Sequence, residues 1–177
     1  MKRIVMIAFV LLSGCATTEP VSELDSPVYT TKILSHINYK NEANIAKNVL
    51  AECNLGTPLS VSVQKYARNF NIKVDRVDNI DKADPDNHIK IEIVSVMSRQ
   101  RVTTALAHRH AKNVTIKATV FENGKPVHKM ERYRSSKGGV FGGFKRSCSV
   151  LDRTVNTLGN DVAKLLNKFL KRRNKNI

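Results

Sequence analysis

The sequence lacks several features that would point directly to a function. It has no tryptophan, 15 acidic residues against 30 lysines and arginines, and three cysteines without a Cys-x-x-Cys pair. No apolar run approaches the roughly 20 residues that a membrane-spanning helix needs, and no catalytic signature stands out. These absences argue against a thioredoxin-like redox site and against a transmembrane protein. Charge and the few cysteines are the informative features that remain.

The first fifteen residues have the order of a bacterial export signal. A two-residue basic head at positions 2 and 3 precedes an apolar run at 4–12, which is too short to span a bilayer. The run leads into Leu-Ser-Gly-Cys, which ends at Cys15 and resembles the lipobox of bacterial lipoproteins. In that class the signal is cut before the cysteine, and the thiol then carries a lipid. An ordinary signal peptide with a chance cysteine is the alternative.

The lipobox resemblance implies both a location and a division of the chain. Ala16 stands where an Asp would favour inner-membrane retention, so the resemblance implies a periplasm-facing lipoprotein of the outer membrane, acylated with chains such as palmitate. It divides the chain into a signal peptide at 1–14, a lipidated tether at 15–30 and one periplasmic domain at 31–177. The tether is rich in Thr, Ser, Glu and Pro, a composition that favours disorder over a packed core.

The mature chain is strongly and unevenly basic. Without the signal peptide it keeps 28 Lys and Arg against 15 acids, a side-chain charge of +13. Basic residues dominate from Arg99 to Arg146, and six of them follow Val162 without any acid, whereas five aspartates lie in 75–86. A basic surface attracts polyanions. Behind an export signal we expect an anionic lipid, lipopolysaccharide or an acidic protein rather than nucleic acid; a merely solvated face is the alternative.

Cys53 and Cys148 are the cysteines that remain after Cys15. The bacterial periplasm is oxidising, so an exported pair of this kind is expected to form a disulfide. The bond would close a loop of about 95 residues and stabilise the fold by roughly 4–5 kcal/mol in the chain-entropy model. Two buried free thiols are the alternative.

Apolar periodicity predicts an α+β fold. Three segments repeat apolar residues every three or four positions, as helices with one buried face do: 42–55, 57–70 and 148–169. Four segments have strand patterns: 72–77, 88–96, 114–121 and 127–135. Asn123-Gly124 predicts a hairpin between the last two strands. We therefore expect a two-layer sandwich, with an antiparallel-rich sheet of about four strands and two or three helices on one face.

A glycine-rich stretch at 137–146 carries the candidate contact site. Its aromatic and basic side chains are typical of an anion or membrane contact: Lys137, Phe141, Phe144, Lys145 and Arg146. A nucleotide-binding loop is excluded because a phenylalanine occupies position 144, where a Walker motif needs lysine. The alternative is a hairpin extension whose phenylalanines pack on the sheet.

Two further patterns invite a metal interpretation, and both are weak. The aspartates at 75–86 lack the Asp-x-Asp-x-Asp-Gly order of a calcium loop. His108 and His110 have the spacing that places two imidazoles on one strand face, but no third zinc ligand is marked in the sequence. Two solvated histidines in a basic loop between strands are the alternative. We expect no metal, no cofactor and no catalytic residue.

Two segments resemble motifs of small proteobacterial outer-membrane lipoproteins of unknown function: 51–55, with the sequence Ala-Glu-Cys-Asn-Leu, and the glycine-rich block 138–151. The layout of strands and turns also resembles, more loosely, the YajG-like and DUF4410-like lipoproteins. Neither resemblance implies an enzyme activity or a catalytic residue.

These observations predict a lipid-anchored, non-enzymatic binding or accessory protein of the cell envelope, which acts by contact with an envelope protein or the envelope itself. One alternative is a basic module that binds an anionic envelope polymer directly, such as lipopolysaccharide or anionic lipid. A periplasmic hydrolase or metal enzyme is the other.

Overall fold

A computed structural model describes residues 24, 26–40, 45, 47–80, 87–102, 108–137 and 147–175. Within these residues the chain forms five strands and three α-helices. In chain order they are β1 (Tyr29–Leu34), α1 (Lys47–Glu52), α2 (Gly56–Ala67), β2 (Ile72–Val77), β3 (His88–Val102), β4 (His108–Glu122), β5 (Lys125–Lys137) and α3 (Ser147–Arg173). A short 3₁₀ turn, Arg68–Phe70, continues α2.

The five strands form one mixed sheet in the order β2-β1-β3-β4-β5. β1 is parallel to both of its neighbours, and the pairs β3–β4 and β4–β5 are antiparallel. The predicted hairpin is confirmed: Asn123 and Gly124 both have positive φ angles, as a type I′ turn requires. The sheet therefore ends in two edge strands, β2 and β5.

The predicted α+β class is confirmed, but the sheet has five strands rather than about four. The additional strand is β1, in which Tyr29, Thr31 and Ile33 are buried on one side. This strand is only six residues long and directly follows the Thr-, Ser- and Pro-rich stretch. Its composition therefore does not distinguish it from that stretch. Its partners are distant in sequence, and for that reason local patterns could not predict it.

One face of the sheet and the helices α2 and α3 form most of the core, and Val49 of α1 is also buried in it. Each strand from β1 to β4 buries alternate residues, and a bulge between Ile93 and Ser95 shifts the alternation so that Val96 is also buried. α2 and α3 cover this face and pack on each other. Their fully buried residues include Leu59, Val63 and Ala67 of α2, and Leu151, Val155, Leu158, Val162 and Leu166 of α3.

Candidate anion-binding groove

A groove of about 490 Å³ lies between α3 and the edge strand β5. β5 lines it with His128, Met130, Arg132 and Arg134, among others. The β4 partners of these four residues are buried core residues, namely Val120, Ala118, Ile116 and Val114. Because cross-strand partners share a face of the sheet, the four β5 side chains lie on the face that the helices cover. We call this feature the basic groove.

α3 forms the other wall of the basic groove. Lys164, Lys168 and Arg172 line it, and the four-residue spacing stacks them on one flank of the helix. At 1.5 Å rise per residue the row repeats about every 6 Å. Alternate residues of β5 repeat about every 6.8 Å. A row of three cations on α3 therefore faces a β5 row that contains two arginines, Arg132 and Arg134, and the two rows have similar repeats.

Apolar atoms form the floor of the groove. Leu165 is buried beside the lysine row, and Met130 of β5 is packed against the core. The His128 ring stacks on Phe169 with 6.1 Å between ring centroids. This floor fixes the separation of the two walls, because α3 and β5 both pack against it.

Acidic residues neutralise little of the positive charge of the groove. Asp161 accepts two hydrogen bonds from Arg134, at 2.7 and 2.8 Å, and its side chain is only 11% exposed. This carboxylate raises the pKa of the Arg134 guanidinium. The other acid, Glu131, pairs with Lys117 at 3.3 Å. Across the part of the chain that the structure describes, no carboxylate forms an ion pair with the α3 row.

The basic surface continues past the groove to the end of α3. A second depression of about 360 Å³ is lined by Lys164, Asn167, Lys168, Lys171, Arg172 and Lys175. Three of these residues also line the basic groove, so the two depressions are continuous. Four cations on the last turns of α3, together with Lys175 just beyond its end, form a concentrated positive field.

A polar cluster fixes the C-terminal end of α3 to the sheet. Arg173 donates to Glu122 at 2.8 Å, and the Tyr29 hydroxyl donates to the same oxygen at 3.3 Å. The guanidinium lies 5.4 Å from the centre of the Tyr29 ring. Burial, together with the adjacent Glu122 carboxylate, raises the pKa of the tyrosine. Arg173 is therefore bound to Glu122 and Tyr29, and these contacts attach the end of α3 to the sheet.

The structure joins Cys53 and Cys148 in a disulfide, with 5.3 Å between the Cα atoms. Cys53 directly follows α1 and is buried, while Cys148 is the second residue of α3. The bond thus attaches the start of the long helix to the end of the first helix. These are the two cysteines that the sequence analysis pairs.

The other predicted site residues are not part of the basic groove as described. Cys15, Phe141, Phe144, Lys145 and Arg146 lie outside the described residues, and Lys137 is the last residue of β5. Their roles stay predictions.

The two candidate zinc ligands, His108 and His110, belong to β4, in register with Val102 and Gln100. β3 and β4 are longer than the sequence analysis predicts, so these histidines lie on a strand rather than in a loop. In the described ranges no three potential metal ligands come together.

The basic groove was not predicted from the sequence, although one of its walls has a recognisable sequence pattern. The run of basic residues after Val162 is visible in the sequence, and Lys164, Lys168 and Arg172 have helical spacing. The opposite wall could not be found in this way, because β5 is a separate segment and only its register with β4 directs His128 and Arg132 towards α3.

No family model and no curated protein matches this chain, so the resemblance to the YajG-like and DUF4410-like groups stays a prediction. Its fold is found in a solved structure. Protein CT253 from Chlamydia trachomatis is similar, with 8% identity, a TM-score of 0.53, and coverage of 80% of this chain and 96% of that chain.

Two other similar structures are bacterial lipoproteins. Lipoprotein GNA1162 from Neisseria meningitidis has 10% identity and a TM-score of 0.44, over 78% of this chain and 99% of that one. A minor lipoprotein from Acinetobacter baumannii has 9% identity and a TM-score of 0.42, over 79% and 92%. At these identities the comparisons concern the fold and assign no function. Within the described residues, no helix is both long enough and apolar enough to cross a membrane.

Proposed function

We propose that this protein is a lipid-anchored, non-enzymatic binding protein of the cell envelope, which holds an anionic partner in the basic groove. A lipid on Cys15, after removal of residues 1–14, would keep the domain at the periplasmic face of the outer membrane. The observation that carries the proposal is the row of three α3 cations that faces Arg132 and Arg134 of β5. The acid on the α3 wall, Asp161, is already bound by Arg134, so the remaining cations are left for a partner.

The chemistry of the groove supports binding rather than catalysis. General acid–base catalysis needs a titratable group positioned to exchange a proton with the substrate. The carboxylates that line the groove are engaged, Asp161 by Arg134 and Glu131 by Lys117, and the His128 ring is stacked on Phe169. The lysine and arginine side chains of the groove form a positive surface, which attracts anions.

A protein of the envelope is the partner we propose first, and an anionic envelope polymer is the second candidate. The depression at the end of α3 favours the second candidate, because its five clustered cations match the phosphate groups of lipopolysaccharide or anionic lipid. Both partners would bind through charge, and salt would weaken both interactions.

The anchor is tested by Cys15→Ala in producing cells. We expect the wild-type protein to fractionate with the outer membrane and to have the mass of an acylated chain that begins at Cys15. We expect the variant to lose both the acyl mass and the membrane fraction. A wild-type protein recovered without acyl mass would overturn this part of the proposal.

The basic groove is tested by photocrosslinking in intact cells, with a photoreactive residue at Lys168 and, as control, at Arg153. Arg153 is exposed on the same helix, about 22 Å away along its axis. We expect one discrete crosslinked species from position 168, lost on Lys164→Glu, and none from position 153. Equal crosslinking at both positions, with no binding of purified protein to lipopolysaccharide, would refute the proposal.

A further inference from the structure

We infer that the partner in the basic groove is an extended acidic polypeptide segment, which adds to the sheet as a new strand along β5. This inference rests on the proposed function and names the chemistry of its partner. It combines three observations: an open strand edge, a row of α3 cations whose repeat is close to that of an extended chain, and two exposed apolar side chains on β5, Val127 and Tyr133.

The first observation is the open edge of β5. The strand is 13 residues long, about 44 Å at 3.4 Å per residue. Its inner edge pairs with β4, and no strand of the described residues pairs with its outer edge. An outer edge of this kind presents N–H and C=O groups that can pair with another chain.

The charge of β5 selects the kind of chain that can pair with this edge. Lys125, Lys129, Arg132 and Arg134 are all exposed on the strand, and its one acid, Glu131, is paired with Lys117 of β4. Two such strands side by side would bring like charges together, which is destabilising. A second copy pairing through the same edge is therefore disfavoured, whereas an acidic strand is favoured.

The second observation is the spacing of the α3 row. Alternate side chains of an added strand would point towards the helix-covered face and repeat about every 6.8 Å. Lys164, Lys168 and Arg172 repeat about every 6 Å along α3. If every second residue of the added strand is acidic, two or three successive acidic side chains would therefore each lie opposite a cation of α3.

The third observation concerns the other face of β5. Tyr133 is 57% exposed, and its cross-strand partner Thr115 lies on the face away from the helices. Val127 is 43% exposed near the start of the strand. The remaining alternate positions of an added strand can bear Val or Thr beside these two side chains, which Lys129 and Glu131 separate on this face. An anionic polysaccharide has no peptide groups to form hydrogen bonds along the β5 edge, and it does not alternate acidic with apolar side chains. We therefore favour a peptide.

The test uses capped peptides and the full lipidated protein in non-ionic detergent. One peptide alternates, Glu-Val-Glu-Thr-Glu-Val-Glu, and a second has the same residues in blocks, Glu-Glu-Glu-Glu-Val-Thr-Val. By fluorescence anisotropy we expect the alternating peptide to bind at least tenfold more tightly. Hydrogen exchange should slow at the backbone amides of β5 when it binds.

N-methylation separates strand addition from simple charge attraction. Alternate amides of an added strand point towards β5, and the others point away. Two alternating peptides are made, each N-methylated at one of these sets. We expect N-methylation of the amides that point towards β5 to weaken binding at least tenfold, and N-methylation of the other set to leave binding nearly unchanged. This arm uses the wild-type protein, so it is independent of whether any variant folds.

A charge-matched pair of variants links the effect to the basic groove. Lys164→Glu with Lys168→Glu should weaken the alternating peptide at least tenfold. Lys65→Glu with Arg153→Glu makes the same change in net charge at exposed positions outside the groove, and it should leave binding within about twofold.

Two unfavourable results are distinguishable. If both peptides and lipopolysaccharide bind at the groove, and neither N-methylated set matters, strand addition is wrong while anion binding stands. If no anionic probe binds in a way that depends on Lys164 and Lys168, both this inference and the proposed function fail.

Discussion

Gly159 of α3 lies against Ser62 of α2 so closely that no side chain fits between them. A Cβ atom on Gly159 would overlap the Cβ atom of Ser62 and lie 2.9 Å from both the Ser62 carbonyl carbon and the Val63 nitrogen. In the middle of a helix a glycine costs about 1 kcal/mol relative to alanine. Here that cost permits the close crossing of the two helices that cover the sheet.

We predict that Gly159→Ala destabilises the protein, although alanine is the better helix former. Overpacking typically costs about 1–3 kcal/mol, which outweighs the gain of about 1 kcal/mol in helix propensity. Urea denaturation without reductant measures the change. Thr157→Ala, at an exposed position of the same helix, is the control and should shift stability by less than about 0.5 kcal/mol. An alanine variant as stable as wild type would show that the helices can separate freely.

We predict that the disulfide between Cys53 and Cys148 contributes a large part of the stability. Because the cysteines are 95 residues apart, the chain-entropy model gives roughly 4–5 kcal/mol. Denaturation of wild type and of the double alanine variant, under identical conditions, measures the difference. Thiol labelling of the native exported protein should modify neither cysteine, and labelling of both would contradict the pairing.

We predict that Asp161→Asn strengthens anion binding while it weakens the fold. The substitution removes a carboxylate from the basic groove and releases Arg134 from its bidentate pair. Stability should fall by about 1 kcal/mol or less, since Arg134 is half exposed. Affinity for the acidic peptide should rise a few-fold in anisotropy measurements. Asp152→Asn makes the same charge change near the start of α3; an equal gain from that control would place the binding elsewhere.

We predict that Lys112→Met stabilises the protein at neutral pH and that the advantage shrinks at alkaline pH. Lys112 is only 6% exposed, and burial lowers the pKa of its amine although Glu52 opposes the change. Removing a buried charge should add on the order of 1 kcal/mol at pH 7.

The sign of the pH dependence of Lys112 follows from linkage. Below the lowered folded pKa the amine is charged in both states, and its burial cost is fully present. Between that pKa and the unfolded value of about 10.4, the folded amine loses its proton first, so wild-type stability rises with pH. Denaturation at pH 7 and pH 10 measures the gap between the two proteins; a gap that widens with pH would contradict the assignment.

Elements with local signatures were predictable from the sequence. The stripe of α3 and the Asn123-Gly124 hairpin depend on neighbours within a few residues, so their patterns survive in a single sequence. β1 was missed, because its six residues are stabilised by β2 and β3, which are distant in the chain. The same limit applies to the site: the lysine row of α3 is visible in the sequence, whereas its β5 wall is not.

The amino-acid composition and the local sequence patterns alone established the net positive charge, the two cysteines besides Cys15 and the lipobox-like start. They also predicted the α+β class. Only the tertiary structure decided that β5 is an open edge and that its Arg132 and Arg134 face the cation row of α3. The physical reason is register: the pairing of Arg132 with Ile116 places that arginine on the helix-covered face. A shift of one residue would turn the whole row away from α3.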